Sequence, residues 1–511
     1  MKTGETERRE HQVHLRRGAL FNLLGGLAKL MQPAFLLAIT WLWGPAVTGL
    51  YLLGQSLTDI VSGGLASGYA DATTVFASRH VDGAEHDEAA GRALYRVLAN
   101  TFAVSAGASL AVCGLALLFA HALIAAWFPD YQALLPGLLF FAASLVPRAI
   151  SAIAIAGTKA VMHMEHDALL NGVLHPISCL LGLLIAYGLG GGISSLCAVQ
   201  LAVDLLVCAF SLRAFSRYFS GRRLLDAVRA FSFDRELLGF AVPQSLNLTF
   251  NRYITRIDAI MLASFGLSQS DLGYFGTAAF LTSNLGQIRT IFSGAVAPLI
   301  VRHHARGDRE LLQQSLGQIA GWTTSLIAPV VLVLLVLRRD VLELVSPAYG
   351  HDSLFVAVLL IPPFTNCAYG MAGACLMFTG HTRVTLMNSF CMALLNTGFA
   401  YLLIPTHGML GAAIGTALAT SIMTGLQMLE LSKLELIRIP WSAVWKPHLG
   451  FALGLLVLAW YWDPVLLPIL GRMILAGCLA LGFFLLMRVL GREGPNGSQS
   501  SSAGARLHDH S

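Results

Sequence analysis

The sequence predicts an all-α polytopic membrane protein with about fourteen transmembrane helices, built as two parallel-repeat six-helix lobes plus a C-terminal helix pair. Three observations predict it. Of 511 residues, 56% are hydrophobic and only 12% are charged, against about a quarter charged in soluble domains, and the mean hydropathy is +0.67. Apolar runs long enough to cross about 30 Å of hydrocarbon, which takes roughly 20 helical residues, recur along the chain with short interruptions. The two halves also register against one another when the chain is slid by about 224 residues.

Taken in order, the runs place helices near 18–43, 47–77, 93–120, 134–157, 168–189, 192–214, 237–264, 271–299, 315–337, 353–379, 383–404, 408–430, 443–462 and 464–488. The expected organisation is therefore a cytoplasmic segment 1–17, an N-lobe 18–214, an inter-lobe loop 215–236, a C-lobe 237–430, a helix pair 431–490 and a disordered tail 491–511. Residues 1–17 are polar and lack the apolar core of a removable signal peptide, so the first helix is expected to stay in the mature protein. The tail is rich in Gly and Ser without periodic apolar residues. Trp462-Asp463-Pro464 divides the final pair.

Orientation follows from Lys and Arg, which concentrate in cytoplasmic loops. Alternate loops hold Arg79 and Arg92, Lys159, then Arg217, Arg222, Arg223, Arg229 and Arg235, then Arg302, Arg306 and Arg309, then Arg383, and then Lys433, Arg438 and Lys446. The intervening loops are nearly bare, with Arg338-Arg339 beside Asp340 as the exception. Both termini are expected in the cytoplasm. The net charge of +5 is distributed by this rule, and no nucleic-acid partner is expected.

In the slid alignment Gly49-Leu50-Tyr51 falls on Gly273-Tyr274-Phe275 and Leu57-Thr58 falls on Leu281-Thr282. Helices one to six overlie seven to twelve in order. Both copies start inside, which makes this a parallel repeat about an axis along the membrane normal, with the substrate path expected between the halves.

Charged side chains inside the spans cost several kcal/mol unless they face a wet cavity or a partner. Near mid-helix they are Lys29, Asp59, Asp71, Arg148, Asp204, Arg252, Arg256, Asp258 and Arg289. Arg252 and Arg256 share a helix face, where like charges repel unless an anion sits beside them; guanidinium makes bidentate contacts to phosphate oxygens. Lys29, Arg148 and Arg289 are further candidates for a basic cavity. The competing reading is that these cations brace helices by pairing with the aspartates. Asn247, Asn251, Thr255 and Asp258 form a polar stripe that either hydrogen-bonds sugar hydroxyls or joins two helices. Asp59, Asp71 and Asp258 are candidates for ion coupling, since a carboxylate in an apolar setting can change protonation, or are salt-bridge partners.

Other features read as structure. Gly64 to Gly68 and Gly411 to Gly415 have a spacing that lets helices approach closely. Pro243, Pro298, Pro329 and Pro362-Pro363 are positioned to bend helices. The eight cysteines lie in apolar runs without metal-site spacing and read as small buried hydrophobes. His163-Met164-Glu165-His166-Asp167 lacks a zinc-protease order and reads as a solvated loop. No catalytic group, metal or cofactor is expected.

Arg17-Gly18-Ala19 opening an early helix, Trp43-Gly44 through Gly49-Leu50-Tyr51, and Asp258 to Leu262 followed by Leu272-Gly273-Tyr274 resemble the polysaccharide-export (O-antigen and exopolysaccharide) flippases. These belong to the multidrug/oligosaccharidyl-lipid/polysaccharide exporter superfamily, which also holds multidrug and toxic compound extrusion transporters and peptidoglycan-precursor flippases. The resemblance covers nearly the whole chain as a helix plan and rests on short motifs. It implies two six-helix lobes in a bacterial inner membrane. They would turn an undecaprenyl-pyrophosphate-linked oligosaccharide from the cytoplasmic to the periplasmic leaflet by alternating access, for surface or extracellular polysaccharide such as lipopolysaccharide. The pyrophosphate would meet central cations, for which Arg252 and Arg256 are the carry-over candidates. Membrane lipid and a polysaccharide polymerase or export machinery are the implied partners, and the last two helices resemble a pair that can form a lipid-tail groove. A cation-coupled multidrug exporter of the same superfamily is the first alternative. A membrane-embedded polymerase or glycosyltransferase is the second, and the short basic loops disfavour it because acid–base work calls for a sizeable loop or an interfacial carboxylate.

Overall fold

The computed structural model describes residues 31–81, 83, 87–232, 234–289, 300, 306, 308–345, 353–434, 441–460 and 468–492. Every helix or strand assigned among them is helical. By compactness the chain divides into two units that interleave in sequence: Met1–Leu281 with Leu344–Tyr349 and Arg383–Met423, and Thr282–Glu343 with Gly350–Thr382 and Thr424–Ser511.

In the first unit, α1 (Met31–Trp43) leads into α2 (Pro45–Ser62), a π-helical turn Gly63–Ser67, and α3 (Gly68–Val81). Gly44 at φ 84° makes the corner, and Pro45 in the first turn needs no amide partner. Next come α4 (Glu88–Trp127), α5 (Leu135–Ala160), a short α6 (Glu165–Leu169) running through a π segment into α7 (His175–Gly188), and α8 (Ile193–Phe215). α9 (Gly221–Arg229) and α10 (Arg235–Ser264) follow, then α11 (Gln269–Asn284). Asp87 caps α4 by accepting from the Ala89 amide, and Asp234 caps α10 by accepting from Glu236 and Leu237. The 40 residues of α4 rise about 60 Å, twice the hydrocarbon thickness, so this helix is tilted or extends past the headgroups.

Two apolar cores hold this unit together. One joins Phe76, Leu94, Leu98, Ala154, Phe215 and Leu237 from α3, α4, α5, α8 and α10. The other joins Ile39, Tyr51, Phe141, Leu183 and Leu196 from α1, α2, α5, α7 and α8.

The glycine spacings are packing devices, as expected. A Cβ on Gly68 would fall 2.4 Å from the Ser245 amide nitrogen, and one on Gly64 would fall 2.9 Å from Thr249 Oγ1, so α10 crosses at the π turn. The repeat also leaves a physical mark. A Cβ on Gly49 would fall 2.0 Å from the Gln269 carbonyl, and one on Gly273 would fall 2.0 Å from the Pro45 carbonyl. Pro45 and Gln269 stand at the same 224-residue offset as Gly49 and Gly273. The contact is therefore reciprocal, the pattern two copies make across a two-fold axis.

In the second unit, α12 (Arg309–Val345) is central. Three short helices, α13 (Leu354–Leu359), α14 (Ile361–Tyr369) and α15 (Met371–Phe378), replace the single span expected over 353–379, and the chain bends 47° between α14 and α15. Pro362-Pro363 sits in the first turn of α14, where a missing amide hydrogen is tolerated. The last pair, α17 (Trp441–Trp460) and α18 (Ile469–Arg492), packs on α12 through Phe451 and Phe483. Phe364 and Phe451 stack at 4.2 Å. The bare-loop exception resolves here: Arg472 Nε donates to Asp340 Oδ2 at 2.9 Å, Arg472 Nη2 reaches Asp340 Oδ1, and Arg339 pairs with Glu343.

α16 (Thr382–Lys433) consists of two helical limbs that reverse at Gly408, φ 54°. Thr416 Oγ1 lies 3.1 Å from Asn396 Oδ1, whereas 20 residues of straight helix would separate them by about 30 Å. The two expected helices 383–404 and 408–430 are thus a hairpin, and a Cβ on Gly411 would fall 2.2 Å from the Leu403 carbonyl.

Seven helices among the described residues are long and apolar enough to span a membrane, or eight with the bent pair counted once. The continuous run of α2 and α3, and α10, are not among them; these helices carry Asp59, Asp71, Arg252, Arg256 and Asp258 together with uncharged polar residues such as Gln55, Gln244, Asn247 and Asn251. Six cysteines are buried as expected, whereas Cys391 is half-buried and Cys478 is exposed. The His163 run is not simply solvated: His163 Nδ1 meets Glu165 at 2.6 Å and its ring stacks on Tyr218, and Asp167 pairs with Lys159 at 2.7 Å.

Candidate functional site

Four helices of the first unit, α2, α5, α8 and α10, bring together charges that lie far apart in sequence. Asp59 Oδ2 accepts from Arg256 Nη2 at 2.8 Å, and its Oδ1 accepts from Arg148 Nη1 at 3.3 Å. Arg148 Nε also donates to Asp204 Oδ2 at 2.7 Å. Asp204 further accepts from Gln200 Nε2 at 3.2 Å and faces His175 Nε2 at 3.6 Å, and Gln200 Oε1 accepts from the Tyr51 hydroxyl at 2.9 Å. The side chains of Asp204, Asp59, Arg148 and Arg256 are 5%, 13%, 18% and 22% exposed. Two carboxylates face two guanidiniums, so the bracing reading of the sequence is realised for Arg148 and Arg256.

Arg252 is different. It is exposed, its Nη2 meets Ser67 Oγ at 3.3 Å, and it has no carboxylate partner among the described residues. The π turn sets its position: a Cβ on Gly63 would fall 2.9 Å from Arg252 Cδ, so the glycine leaves the groove in which the side chain lies. Arg252 and Arg256 therefore share a face, with one neutralised and the other open.

The polar stripe of α10 meets the α16 hairpin. Asn247 Oδ1 accepts from Ser389 Oγ at 3.0 Å and from Asn251 Nδ2 at 3.4 Å, and Tyr253 and Thr397 hydroxyls lie 2.9 Å apart. Helix joining is thus realised at Asn247, while Asn251 and Thr255 stay exposed. Deeper on α10, Asp258 is buried with Oδ2 2.5 Å from Thr416 Oγ1, and its Oδ1 has no hydrogen-bond partner among the described residues. Thr416 has one hydroxyl proton and two acceptors beside it, Asp258 Oδ2 and Asn396 Oδ1, the latter at 3.1 Å. Asn396 is oriented by donating its Nδ2 to the Ile254 carbonyl.

The remaining candidates lie elsewhere. Asp71 is exposed and accepts from Gln244 Nε2 at 2.8 Å. Arg289 belongs to the second unit, where Nη1 donates to the Gly370 carbonyl. Lys29 lies outside the described residues. No group of three or more metal-ligating side chains comes together among the described residues. Sequence reasoning missed Tyr51, His175, Gln200, Asn396 and Thr416. Gln200 and Asp204, four apart within an apolar run, were the available signal for part of this set.

The family model described as polysaccharide biosynthesis protein matches residues 92–350, about half of the chain. The chain belongs to the polysaccharide biosynthesis protein family. No curated protein matches it in sequence. Among solved structures this family member is similar to the lipid II flippase MurJ in an inward closed conformation, with TM-score 0.71 and 13% identity over 93% of this chain and 99% of that one. It is also similar to a multidrug resistance MATE family transporter of the MOP superfamily. The inward-facing form gives TM-score 0.65 and 15% identity over 82% of this chain and 95% of that one. The outward-facing form gives 0.58 and 16% over 83% and 96%. At such identities the likeness establishes the fold: this family member is an all-α, multi-pass membrane protein with a MurJ- and MATE-like transporter architecture.

Proposed function

We propose that this protein is a flippase that carries an undecaprenyl-pyrophosphate-linked oligosaccharide across a bacterial inner membrane, by alternating access, for surface or extracellular polysaccharide. It acts without catalytic residues, with both termini in the cytoplasm and with substrate passing between an N-lobe 18–214 and a C-lobe 237–430. The observation that carries this reading is the α10 pair, in which Arg252 lies open one turn from Arg256. A pyrophosphate carries at least two negative charges, and planar guanidinium binds phosphate oxygens in a bidentate fork. Arg252 makes first contact. Arg256 then turns from Asp59 to the phosphate, and Asp59 keeps Arg148. Asn251 and Thr255 on the exposed face suit the first sugar.

Asp258 is the ion-coupling candidate this reading favours, since Asp59 is already held by two arginines. A positive species at Asp258, a proton or a metal cation, would complete the Thr416 and Asn396 constellation. Lys29 and Arg289 remain candidates for the substrate path. Membrane lipid and a polymerase or export machinery are the expected partners.

The test is deletion of the gene, with mass spectrometry of lipid-linked oligosaccharides in membranes and of polymer outside the cell. Accumulation of a completed lipid-linked repeat unit with loss of polymer supports the flippase. Unchanged lipid-linked units and polymer with increased drug sensitivity would move the reading to a multidrug exporter of the same fold, a rival that the MATE likeness keeps open.

A further inference from the structure

The segment between α8 and α10 carries more positive charge than its local contacts use. Residues 213–235 hold six arginines and two aspartates. Arg217, Arg222, Arg223 and Arg229 are exposed, and none forms an ion pair with a described residue. The helix within it is α9, whose wheel sets Leu224, Leu225 and Val228 on one stripe, with Arg222 and Arg229 on one flank and Arg223 and Asp226 behind.

Only part of that apolar stripe meets protein. Leu224 packs on the core formed by Leu94, Leu98, Phe215 and Phe219, and the Ser220 amide donates to the Tyr95 hydroxyl at 2.8 Å, which fixes α9 against the start of α4. Leu225 remains 58% exposed and Val228 36% exposed. α9 lies directly between the ends of α8 and α10. A short helix with an apolar stripe, aromatic neighbours and arginines, set where spans leave the hydrocarbon, has the composition that settles at a lipid interface.

We infer that α9 and its flanks are an interfacial anchor that seats Leu225 and Val228 among acyl chains and binds anionic phospholipid head groups through Arg217, Arg222, Arg223 and Arg229. The occupant is argued from charge complementarity: the unpaired charge is positive and arginine forks fit phosphate oxygens. Anchoring also holds the first turn of α10 at a set depth, and α10 carries Arg252 and Arg256. The anchor does not depend on the proposed substrate, because its ligand is the bilayer itself.

The test uses the purified full-length protein in phosphatidylcholine nanodiscs containing trace photoreactive phosphatidylglycerol or photoreactive phosphatidylcholine, with labelled peptides mapped by mass spectrometry. Labelling within 217–231 is expected to favour the anionic lipid by at least about fivefold, the factor one arginine supplies near an anionic surface. In the variant combining Arg222→Gln, Arg223→Gln and Arg229→Gln the preference should fall below about twofold, and in the corresponding Arg→Lys variant it should persist. Should the glutamine variant not fold, raising salt to about 1 M, where the Debye length is about 3 Å, should abolish the preference of the unaltered protein. Equal labelling by both lipids, or a preference insensitive to both substitution and salt, overturns the proposal. No labelling of the segment also overturns it and leaves the patch to an acidic protein partner.

Discussion

Two buried carboxylate sites in the same compact unit are solved in opposite ways. Asp59 and Asp204 sit with Arg148 and Arg256 in a closed network, in which opposite charges meet at 2.7 to 3.3 Å. Asp258 is equally buried but, among the described residues, has no cation, only a threonine hydroxyl on one oxygen and no hydrogen-bond partner on the other. In a bilayer a charge is costly unless it is paired or faces a wet cavity. The first fixes helices. The second has no ion pair to break among the described residues, which is why the proposed ion-coupling role is assigned to it. α10 contributes to both, through Arg256 and Asp258.

That contrast sets an order of expected effects. Arg148→Ala should be the most damaging, because it strips both Asp59 and Asp204 of their shared guanidinium; removing one partner of a buried pair costs about 3–5 kcal/mol. A large drop in melting temperature in detergent would show it, and an unchanged melt would break the division between brace and responsive site. Gly273→Val should follow, at about 1–3 kcal/mol or more for overpacking, since a Cβ there meets the Pro45 carbonyl. Gly49→Val should match it closely, because the contact is reciprocal. Unequal melts for the two would argue against the two-fold relation.

Arg252→Ala should cost less than about 1 kcal/mol of stability, as for exposed charges, yet abolish polymer export, with Arg252→Lys restoring only part of it. Asp258→Asn should be neutral or slightly stabilising, because it removes a buried charge and keeps an acceptor for Thr416. Its transport, measured in vesicles, should no longer respond to an imposed ion gradient. Retained dependence would return the coupling role to Asp59 or Asp71.

Much of the helix plan was readable because hydrocarbon thickness sets a minimum length for a span and favours apolar residues along it. Even the hairpin at Gly408, where the chain reverses within a single residue, was visible as two apolar runs. The break at Gly370 within 353–379 was not, because its hydropathy is continuous and only Pro362-Pro363 signalled trouble. For the site, the relevant residue types were legible, since each buried charge stands out against an apolar run. Their pairing was not. Asp59 meets Arg148 and Arg256 across 89 and 197 residues, and no local pattern tells which cations are neutralised and which stay open. The π turn that seats Arg252 was equally hidden, because Gly63, Gly64 and Gly68 fit an ordinary close-packing motif.

The most direct test of the account is binding of undecaprenyl pyrophosphate to the purified protein, read as a shift in melting temperature, with undecaprenol as the uncharged control. The account predicts stabilisation by the pyrophosphate lipid alone, lost in Arg252→Ala and reduced in Arg252→Lys. Equal stabilisation by both lipids, or full stabilisation of the Arg252→Ala protein, would contradict it.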